Sequence, residues 1–252
     1  MILSNLNSVL SKFSTISLEE MAHARLMNRV ETKFAFSAHE LPELLDKLTE
    51  HYKILKVSEK LFSEYETVYF DTQDHFFYHE HHRKRKNRYK VRFRKYVDSN
   101  LTFFEIKQKR NGRVNKERIK VENQDFSIGT RESNFLLSSD VGQLKLQKTL
   151  VNSYNRITLV SKSSVERVTF DLNVAFINEN DETCMDKLVI AELKQEHVSR
   201  TTPVYLALKE MQIKPYSLSK YCIGLLQTKD RSTIKYNRFK KKLMHINKIQ
   251  QL

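Results

Sequence analysis

The feature that most constrains this chain is the run RYKVRFR at residues 88–94, in which cationic and apolar residues alternate. Because successive side chains of a β-strand point to opposite faces, the run predicts a strand with one basic and one apolar face. The basic face carries Arg88, Lys90, Arg92 and Arg94. Like charges at neighbouring positions of a sheet repel one another, so a sheet built from such strands needs anions on its basic side.

The same alternation recurs in segments before and after this run. It predicts strands at 29–36, 66–71, 102–109, 115–121, 153–160, 164–171 and 187–194, with Asn111-Gly112 as a hairpin turn. The charged residues on the polar faces of these strands are Arg29, Glu31, Lys33, Glu105, Lys107, Lys109, Lys116, Arg118, Lys120, Arg156, Arg167, Asp171, Glu192 and Lys194. Basic side chains therefore dominate one side of a predicted eight-stranded antiparallel sheet.

We expect this sheet to form a closed antiparallel eight-stranded β-barrel, because closure removes exposed edges and about eight strands leave room inside for one small ligand. Lysines and arginines enclosed without counterions would each cost several kcal/mol in desolvation. The cavity should therefore hold an anion, and phosphate suits both the fork of arginine and the compact charge of lysine. Among these cations, the carboxylates Glu31, Glu105 and Glu192 are candidate ligands for Mg²⁺ or Mn²⁺.

Helices are predicted around the barrel, which gives an α+β fold. Residues 1–27 are expected to form an N-terminal helical extension, residues 28–230 the barrel domain, and residues 231–252 a basic C-terminal helix. Ser37 and Glu40 have the spacing of a capping box, and Thr202-Pro203 is typical of a helix start. Apolar residues between 134 and 150 predict a further helix.

Composition points to a polyanionic partner. Lys and Arg number 44 against 30 Asp and Glu, a net charge of +14, so the candidates are nucleic acid, an anionic membrane or free phosphates. Nucleic-acid binders display such charge on an outer face, whereas here it is predicted inside the barrel. The sequence has no recognisable signal peptide or membrane span, and its two cysteines, Cys184 and Cys222, lie far apart. These features predict a cytoplasmic protein.

Two polar clusters are not part of the predicted basic face. The first contains His75, His79, His81 and His82. His75 and His79 have the spacing of a helical metal pair, but no third ligand is evident, and a solvated surface is the alternative. The second cluster, RKRK at 83–86, is typical of a nucleic-acid or localisation patch and equally of a positive funnel at the mouth of a tunnel.

Short motifs follow one another along most of the chain. They are RVETKF (29–34), YFDT (69–72), KVRFR (90–94), FEIKQ (104–108), NKERI (115–119), YNR (154–156), RVTFD (167–171), AELK (191–194) and SKY (219–221). In this order they resemble the polyphosphate-polymerase domain of the vacuolar transporter chaperone (VTC) group, within the triphosphate tunnel metalloenzymes. The resemblance covers residues 28–225.

The resemblance implies an enzyme that uses Mn²⁺ or Mg²⁺ to transfer the γ-phosphoryl group of ATP to orthophosphate, pyrophosphate or a growing polyphosphate chain inside a tunnel. The phosphate ligands that it implies are Lys33, Lys90, Arg92, Arg94, Lys107, Lys116, Arg118, Arg156, Arg167, Lys194 and Lys220. Its implied catalytic residues are Arg92, Arg94, Arg156, Lys220 and Glu192. Glu192 would hold the metal, and Lys220 would come from a helix that closes one tunnel end. The resemblance also suggests association with a membrane through a membrane-protein partner.

One residue departs from the wider superfamily, whose first strand has two glutamates before its lysine (ExExK). Residue 29 here is Arg, which argues against a thiamine-triphosphatase or adenylate-cyclase type and leaves one carboxylate fewer for metal. Two other functions stay open. One is a tunnel triphosphatase that hydrolyses tripolyphosphate or a nucleoside triphosphate, and the other is a non-catalytic module that binds polyphosphate or nucleic acid. Nucleic acid is not expected as the primary ligand.

Overall fold

The computed structural model describes residues 2–23, 30–111, 113–122, 125–179 and 181–251. Arg29 and Gly112, predicted in the first strand and in a hairpin turn, lie outside these residues, as do residues 24–27 of the predicted N-terminal extension. Within the described ranges, none of the helices combines the length and the apolar character that spanning a bilayer requires.

Strands and short helices alternate along the chain. The strands are β1 (Ser14–Ile16), β2 (Val30–Ser37), β3 (Tyr52–Leu55), β4 (Ser63–Asp71), β5 (Asn87–Tyr96), β6 (Leu101–Arg110), β7 (Arg113–Val121), β8 (Gln147–Ser161), β9 (Glu166–Ile177), β10 (Glu182–Met185) and β11 (Leu188–Gln195). The helices are α1 (Ile2–Leu10), α2 (Leu18–His23), α3 (Leu41–Asp46), α4 (Phe76–His82), α5 (Thr130–Leu137), α6 (Pro203–Glu210), α7 (Lys220–Thr228) and α8 (Lys240–Gln251).

The strands form one 11-stranded sheet, whose main path runs β2-β11-β9-β8-β4-β5-β6-β7. Neighbours along this path are antiparallel, and β1, β3 and β10 pair outside it. Each strand of the main path overlaps one of the strands predicted from the alternation. The predicted helix starts are also present, with the capping box of Ser37 and Glu40 and with Pro203 in the first turn of α6. The α+β class and the antiparallel sheet are therefore confirmed.

The sheet is curled but open, so the prediction of a closed barrel is wrong. Among the described strands, β2 and β7 end the main path and do not pair with each other. The free edge of β2 is occupied by the chain near Pro215, which bridges Phe34, while the N–H of Tyr216 donates to the carbonyl of Lys33 at 2.6 Å. The other edge, β7, is exposed and rich in charge, which keeps an edge strand solvated. The result is a half-barrel.

The helix predicted between 134 and 150 is much shorter in the structure. Helix α5 ends at Leu137, and Leu150 lies in β8. A Cβ atom at Gly142 would lie 2.6 Å from the carbonyl oxygen of Leu136, so the chain turns back closely against the end of the helix there. The apolar spacing that suggested one helix therefore comes from a helix end, a turn and a strand that share the same core.

Helices cover the apolar outer face of the sheet and one end of its inner face. On the outer face, Phe34 and Phe36 pack with α1, α3 and α6. On the inner face, α7 and α8 pack where Ala35 and Ile190 replace charged residues. Helix α7 approaches β9 so closely that a Cβ at Gly224 would lie 2.3 Å from the ring of Phe176. The charged part of the inner face thus lies beyond the area that α7 and α8 cover.

A buried carboxylate fastens α7 to the sheet. Asp71, at the end of β4, accepts hydrogen bonds from the backbone N–H of Phe77 at 2.8 Å and of Tyr78 at 3.0 Å. The hydroxyl of Tyr221 on α7 donates to the same carboxylate at 2.5 Å. Burial raises the pKa of Asp71 above its ordinary value although these donors favour the charged form. The YFDT and SKY motifs therefore meet, because one supplies Asp71 and the other Tyr221.

Removing the Tyr221 hydroxyl should destabilise the fold, because one donor to a buried carboxylate is lost. We expect Tyr221→Phe to lower the free energy of unfolding by about 1.5 to 3 kcal/mol, measured by urea denaturation. Tyr216→Phe is the matched control, since that hydroxyl makes only an exposed contact of 3.5 Å with the carbonyl of Lys241. It should change the free energy by less than about 0.5 kcal/mol. Equal losses in both variants would contradict the role of Asp71.

Candidate functional site

The inner face of the half-barrel carries the charged residues that the alternation predicted. The pairing registers align them in rows, with Lys90 opposite Lys107 and Lys107 opposite Lys116. On the far side of the sheet, Lys33 is opposite Glu192. We call this face the basic trough; its charged residues are Glu31, Lys33, Arg88, Lys90, Arg92, Arg94, Glu105, Lys107, Lys109, Lys116, Arg118, Lys120, Arg156, Arg167, Asp171, Glu192 and Lys194, with Lys220 from α7.

Curling brings side chains from distant strands into contact across the trough. Glu31 lies on the edge strand β2 and Lys107 lies on β6, beside the opposite edge. Their Oε2 and Nζ atoms are nevertheless 3.6 Å apart. Burial lowers the pKa of Lys107 below its ordinary value, although the carboxylates of Glu31 and Glu192 favour its charged form. The trough therefore reduces the exposure of its charges to water although the strands do not close, and the side chain of Lys107 remains 30% exposed.

Glu105 is a counterion for cations on the two neighbouring strands. Arg92 donates to Oε2 from two nitrogens, at 2.8 and 2.7 Å, and Lys116 pairs with Oε1. Burial opposes ionisation, but Arg92, Arg94 and Lys116 together lower the pKa of Glu105 to about 2. Because both of its oxygens contact cations, Glu105 holds Arg92 in position and is poorly placed to bind a metal.

Asp171 is a carboxylate of the trough to which the sequence analysis assigned no role. Arg156 donates to its two oxygens at 2.5 and 2.8 Å, and the ammonium of Lys220 contacts Oδ2. Burial opposes ionisation, yet Arg156 and Lys220 hold the pKa of Asp171 well below its usual range. The signal was present, because Asp171 ends the RVTFD motif on the predicted polar face. Two predicted phosphate ligands thus share this carboxylate.

Glu192 lies among lysines at the other side of the trough. Its carboxylate is 3.0 Å from Nζ of Lys33 and 3.8 Å from Nζ of Lys194. Burial opposes ionisation, but Lys194, Lys33 and a hydrogen bond with Glu31 lower the pKa of Glu192 well below its ordinary value. Burial in turn lowers the pKa of Lys194 to about 7. Glu31 and Glu192 therefore form a pair of carboxylates in direct contact.

Elsewhere in the trough, four cations lie around the phenol of Tyr69, and two of them, Arg92 and Lys220, also pair with Glu105 and Asp171. Tyr69 is only 4% exposed, and burial alone would raise the pKa of its hydroxyl. Four cations outweigh this effect and lower the pKa of Tyr69 below its ordinary value. They are Arg92, Lys90, Arg94 and Lys220. The positive potential around Tyr69 is therefore the strongest indication of an anion-binding position in the trough.

Two hydroxyl groups adjoin this cation cluster. The ammonium of Lys90 donates to the Oγ of Ser219 at 2.8 Å, and burial lowers the pKa of Lys90 to about 8. The hydroxyl of Tyr154 is buried and has no hydrogen-bond partner among the described residues. Its ring lies 4.6 Å from Nζ of Lys220. Sequence reasoning passed over Ser219, Tyr69 and Tyr154, although each belongs to one of the motifs SKY, YFDT and YNR.

Two predicted phosphate ligands lie apart from these clusters. Arg118, on the exposed strand β7, stacks on the ring of Phe103 at 4.3 Å. Arg167 lies opposite Lys194, and its guanidinium approaches the sulfur of Met21 on α2 at 3.7 Å. Both remain on the face of the trough, but neither joins the cations around Tyr69.

A divalent metal fits the trough if phosphate oxygens complete its coordination. Among the described residues, no group of three or more His, Cys, Asp or Glu side chains is placed to hold a metal. Glu31 and Glu192 are in contact, whereas Glu105 is engaged by Arg92 and Lys116. Mg²⁺ is commonly bound by one or two carboxylates together with substrate phosphates. The pair of Glu31 and Glu192 therefore suits a metal that binds together with phosphate.

The fold is similar to that of several solved structures. A solved structure described as a "putative adenylate cyclase" from Bacillus halodurans matches with a TM-score of 0.51 and 15% identity, covering 76% of this chain and 94% of that chain. The PH1819 protein from Pyrococcus horikoshii OT3 has a TM-score of 0.45 and 15% identity, over 79% and 96% of the two chains. The Hippeastrum protein HpAC1, described with a dominant triphosphatase activity, has a TM-score of 0.48 and 13% identity, over 81% and 98%.

The family follows from the sequence over most of its length. The model of the VTC domain matches residues 28–229, and the chain belongs to this family. Among curated proteins, none matches the chain. The resemblance that the ordered motifs indicated is confirmed.

Replacing Asp171 by Asn should weaken the fold and favour phosphate binding, because Arg156 and Lys220 lose a counterion that competes with phosphate. We expect the free energy of unfolding to fall by about 3 to 5 kcal/mol. The rise in Tm at saturating tripolyphosphate should exceed that of the wild type. Asp46→Asn, which breaks an exposed pair with Lys12, should change stability by less than about 1 kcal/mol. An Asp171→Asn protein that gains no more from tripolyphosphate than the wild type would argue against this competition.

Tripolyphosphate affinity should fall as the pH rises through the pKa of Lys90, which burial lowers to about 8. A bound phosphate favours the ammonium form, so binding above this pKa requires proton uptake and weakens by up to about tenfold per pH unit. Lys90→Arg keeps its charge and should show a shallower pH dependence in calorimetric titrations. Ionisation of the ligand itself is common to both proteins. Identical pH profiles would exclude Lys90 as a phosphate ligand.

Proposed function

We propose that this VTC-domain protein is a metal-dependent polyphosphate polymerase, which transfers the γ-phosphoryl group of ATP to a growing polyphosphate chain in the basic trough. Membership of the VTC family supports the proposal. The observation that carries it is the set of four cations around Tyr69, of which Lys90 and Arg94 form no ion pair with a carboxylate among the described residues. Such cations remain favourable in a low-dielectric site only if an anion binds among them.

The arrangement suits phosphoryl transfer, in which positioning and electrostatics do most of the work. The bond between the γ-phosphorus and its bridging oxygen breaks, ADP leaves, and an oxygen of the chain end forms the new bond to phosphorus. Arg92 is pre-oriented by Glu105, and Lys220 and Arg156 by Asp171. These side chains would hold the transferred group and stabilise the charge that develops on its oxygens. The unpartnered hydroxyl of Tyr154 would add a neutral donor.

The proposal includes Mn²⁺ or Mg²⁺, held by Glu192 and Glu31 together with phosphate oxygens. When bound, the metal would neutralise charge on the oxygens of the triphosphate. Orthophosphate or pyrophosphate would serve as the first acceptor. A cytoplasmic location accords with two free cysteines, Cys184 and Cys222. Association with a membrane protein that takes up the product rests on family membership alone.

A tunnel triphosphatase is the second candidate, and the open side of the half-barrel favours it. Because β2 and β7 do not pair in the described part of the sheet, water has a path to a bound triphosphate. Water would then replace the chain end as the acceptor of the phosphoryl group. A nucleic-acid-binding module is less well supported, since the cations around Tyr69 lie on the concave face of the sheet and are only partly exposed.

The products formed from ATP separate the two enzymes. Purified protein incubated with ATP and Mn²⁺ or Mg²⁺ should yield ADP and polyphosphate, resolved on a gel stained for polyanions. Orthophosphate without any chain would establish the triphosphatase. No turnover with either metal, combined with tight binding of tripolyphosphate, would leave only the binding module.

Glu192→Gln tests the metal-binding carboxylate. We expect it to lower turnover by about a hundredfold or more while tripolyphosphate still binds. Glu117→Gln is the matched control, because Glu117 is an exposed carboxylate on β7. It should retain wild-type turnover. A Glu192→Gln protein with wild-type activity would remove this residue from the metal site.

A further inference from the structure

A cleft of about 540 Å³ lies between helix α4 and residues 233–238. None of its lining residues belongs to the basic trough. The lining residues that matter are His79, His82, Arg83, Lys235, Asn237 and Arg238. The cleft is therefore a separate feature, and it brings together part of the histidine cluster and part of the RKRK run.

Hydrogen bonds fix the two walls of the cleft relative to each other. The buried hydroxyl of Tyr78 on α4 donates to the carbonyl of Lys235 at 2.9 Å. The imidazole of His82 is hydrogen-bonded to the side chain of Asn237 at 2.8 Å, and Arg238 donates to the carbonyl of His82 at 3.3 Å. These contacts tie α4 to the 233–238 segment, so the cleft is a built part of the fold.

The charges in the cleft are all of one sign. Arg83, Lys235 and Arg238 line it, and no carboxylate does. A nearby acid, Glu80, is shared between Arg83 at 3.5 Å and Arg85 at 3.8 Å. The cations of the cleft therefore exceed the local supply of counterions, as expected for a site that receives an anion.

We propose that this outer cleft is a second phosphate-binding site, which takes a compact oligophosphate independently of the trough. Its volume lies in the range of small-molecule sites, about 300 to 1,000 Å³, and its concave shape suits a compact ligand better than a nucleic-acid duplex. Two arginines supply forked donors for phosphate oxygens. The inference goes beyond the proposed polymerase, since it needs no chemistry in the trough.

The two histidines make this site sensitive to pH. Burial is the main cause that lowers the pKa of His79 and of His82 below the ordinary 6.5, and neighbouring cations add to it. The charged groups facing them are Asp74, Arg83, Lys235 and Arg238, with the side chain of Asn237. A bound oligophosphate favours the imidazolium form, so its affinity should rise as the pH falls below 6.5.

The test is calorimetric titration of the full chain with tripolyphosphate, with pyrophosphate and ATP titrated in parallel. The wild type should show two classes of site. Arg83→Glu combined with Arg238→Glu should weaken one class by about tenfold or more and leave the other unchanged. Arg131→Glu combined with Lys145→Glu makes the same change in net charge on exposed residues far from the cleft in sequence, and it should retain both classes. If the charge-reversed protein does not fold, Arg83→Ala with Lys235→Ala replaces it.

The outcomes separate this inference from the proposed function. A single class of site in the wild type that survives the Arg83 and Arg238 changes would overturn the cleft and leave the trough intact. Conversely, a cleft site without polymerase activity would overturn the proposed function alone. His79→Gln should flatten the gain in cleft affinity as the pH falls below 6.5, and an unchanged profile would contradict the histidine contribution. Stronger binding of ATP than of tripolyphosphate would identify a nucleotide as the ligand.

Discussion

The desolvation of cations on a concave sheet face governs this structure. Lysines and arginines that leave water need partners, and the chain supplies a few carboxylates at defined points. Glu105 holds Arg92 and Lys116, Asp171 holds Arg156 and Lys220, and Glu192 holds Lys33. Each of these ion pairs joins different strands or joins the sheet to α7. The counterions therefore shape the trough, and their placement decides which cations remain available to a ligand.

The arrangement has a consequence for how phosphate would bind. Around Tyr69 an anion would meet Lys90 and Arg94, which form no ion pair in the described part of the chain, whereas near Asp171 it would have to share or replace an existing partner. Positions along one face are thus not equivalent, although a sequence shows only a continuous row of basic residues. The binding strength for phosphate groups would therefore differ from one position of the trough to the next. Such variation would suit a chain of phosphates that has to move.

Much of the fold was predictable from the alternation of charged and apolar residues. The period of two locates every strand of the main path, and the alternation of side-chain direction is enough to place Lys33, Arg92 and Glu192 on one face. That the barrel stays open was not predictable from the sequence. Pro215 and Tyr216 occupy the edge of β2, and this contact joins residues that are far apart in sequence. The short helix α5 was missed for a similar reason, since the close turn at Gly142 depends on packing.

The candidate site was only partly predictable. Residue types and strand parity identified the cations, but parity cannot tell which carboxylate pairs with which cation. The role of Asp171 depends on its ion pair with Lys220 of α7, which is distant in sequence. The importance of Tyr69 likewise depends on the four cations that the fold places around it. The cleft beside α4 was equally hidden, because Arg238 lies more than a hundred residues after His82 in the chain.

The short stretch between Pro215 and Lys220 has two structural roles. Its first residues cover the hydrogen-bonding edge of β2, and its last residue enters the trough to meet Asp171. Helix α8 holds the middle of the stretch, because Lys242 donates to the carbonyl of Ser217 and the ring of His245 contacts that of Tyr216 at a tilted angle of 39°. The same short stretch therefore covers the edge of β2, which would otherwise be open to pairing with another strand, and supplies Lys220 to the trough. A deletion within it would remove both features.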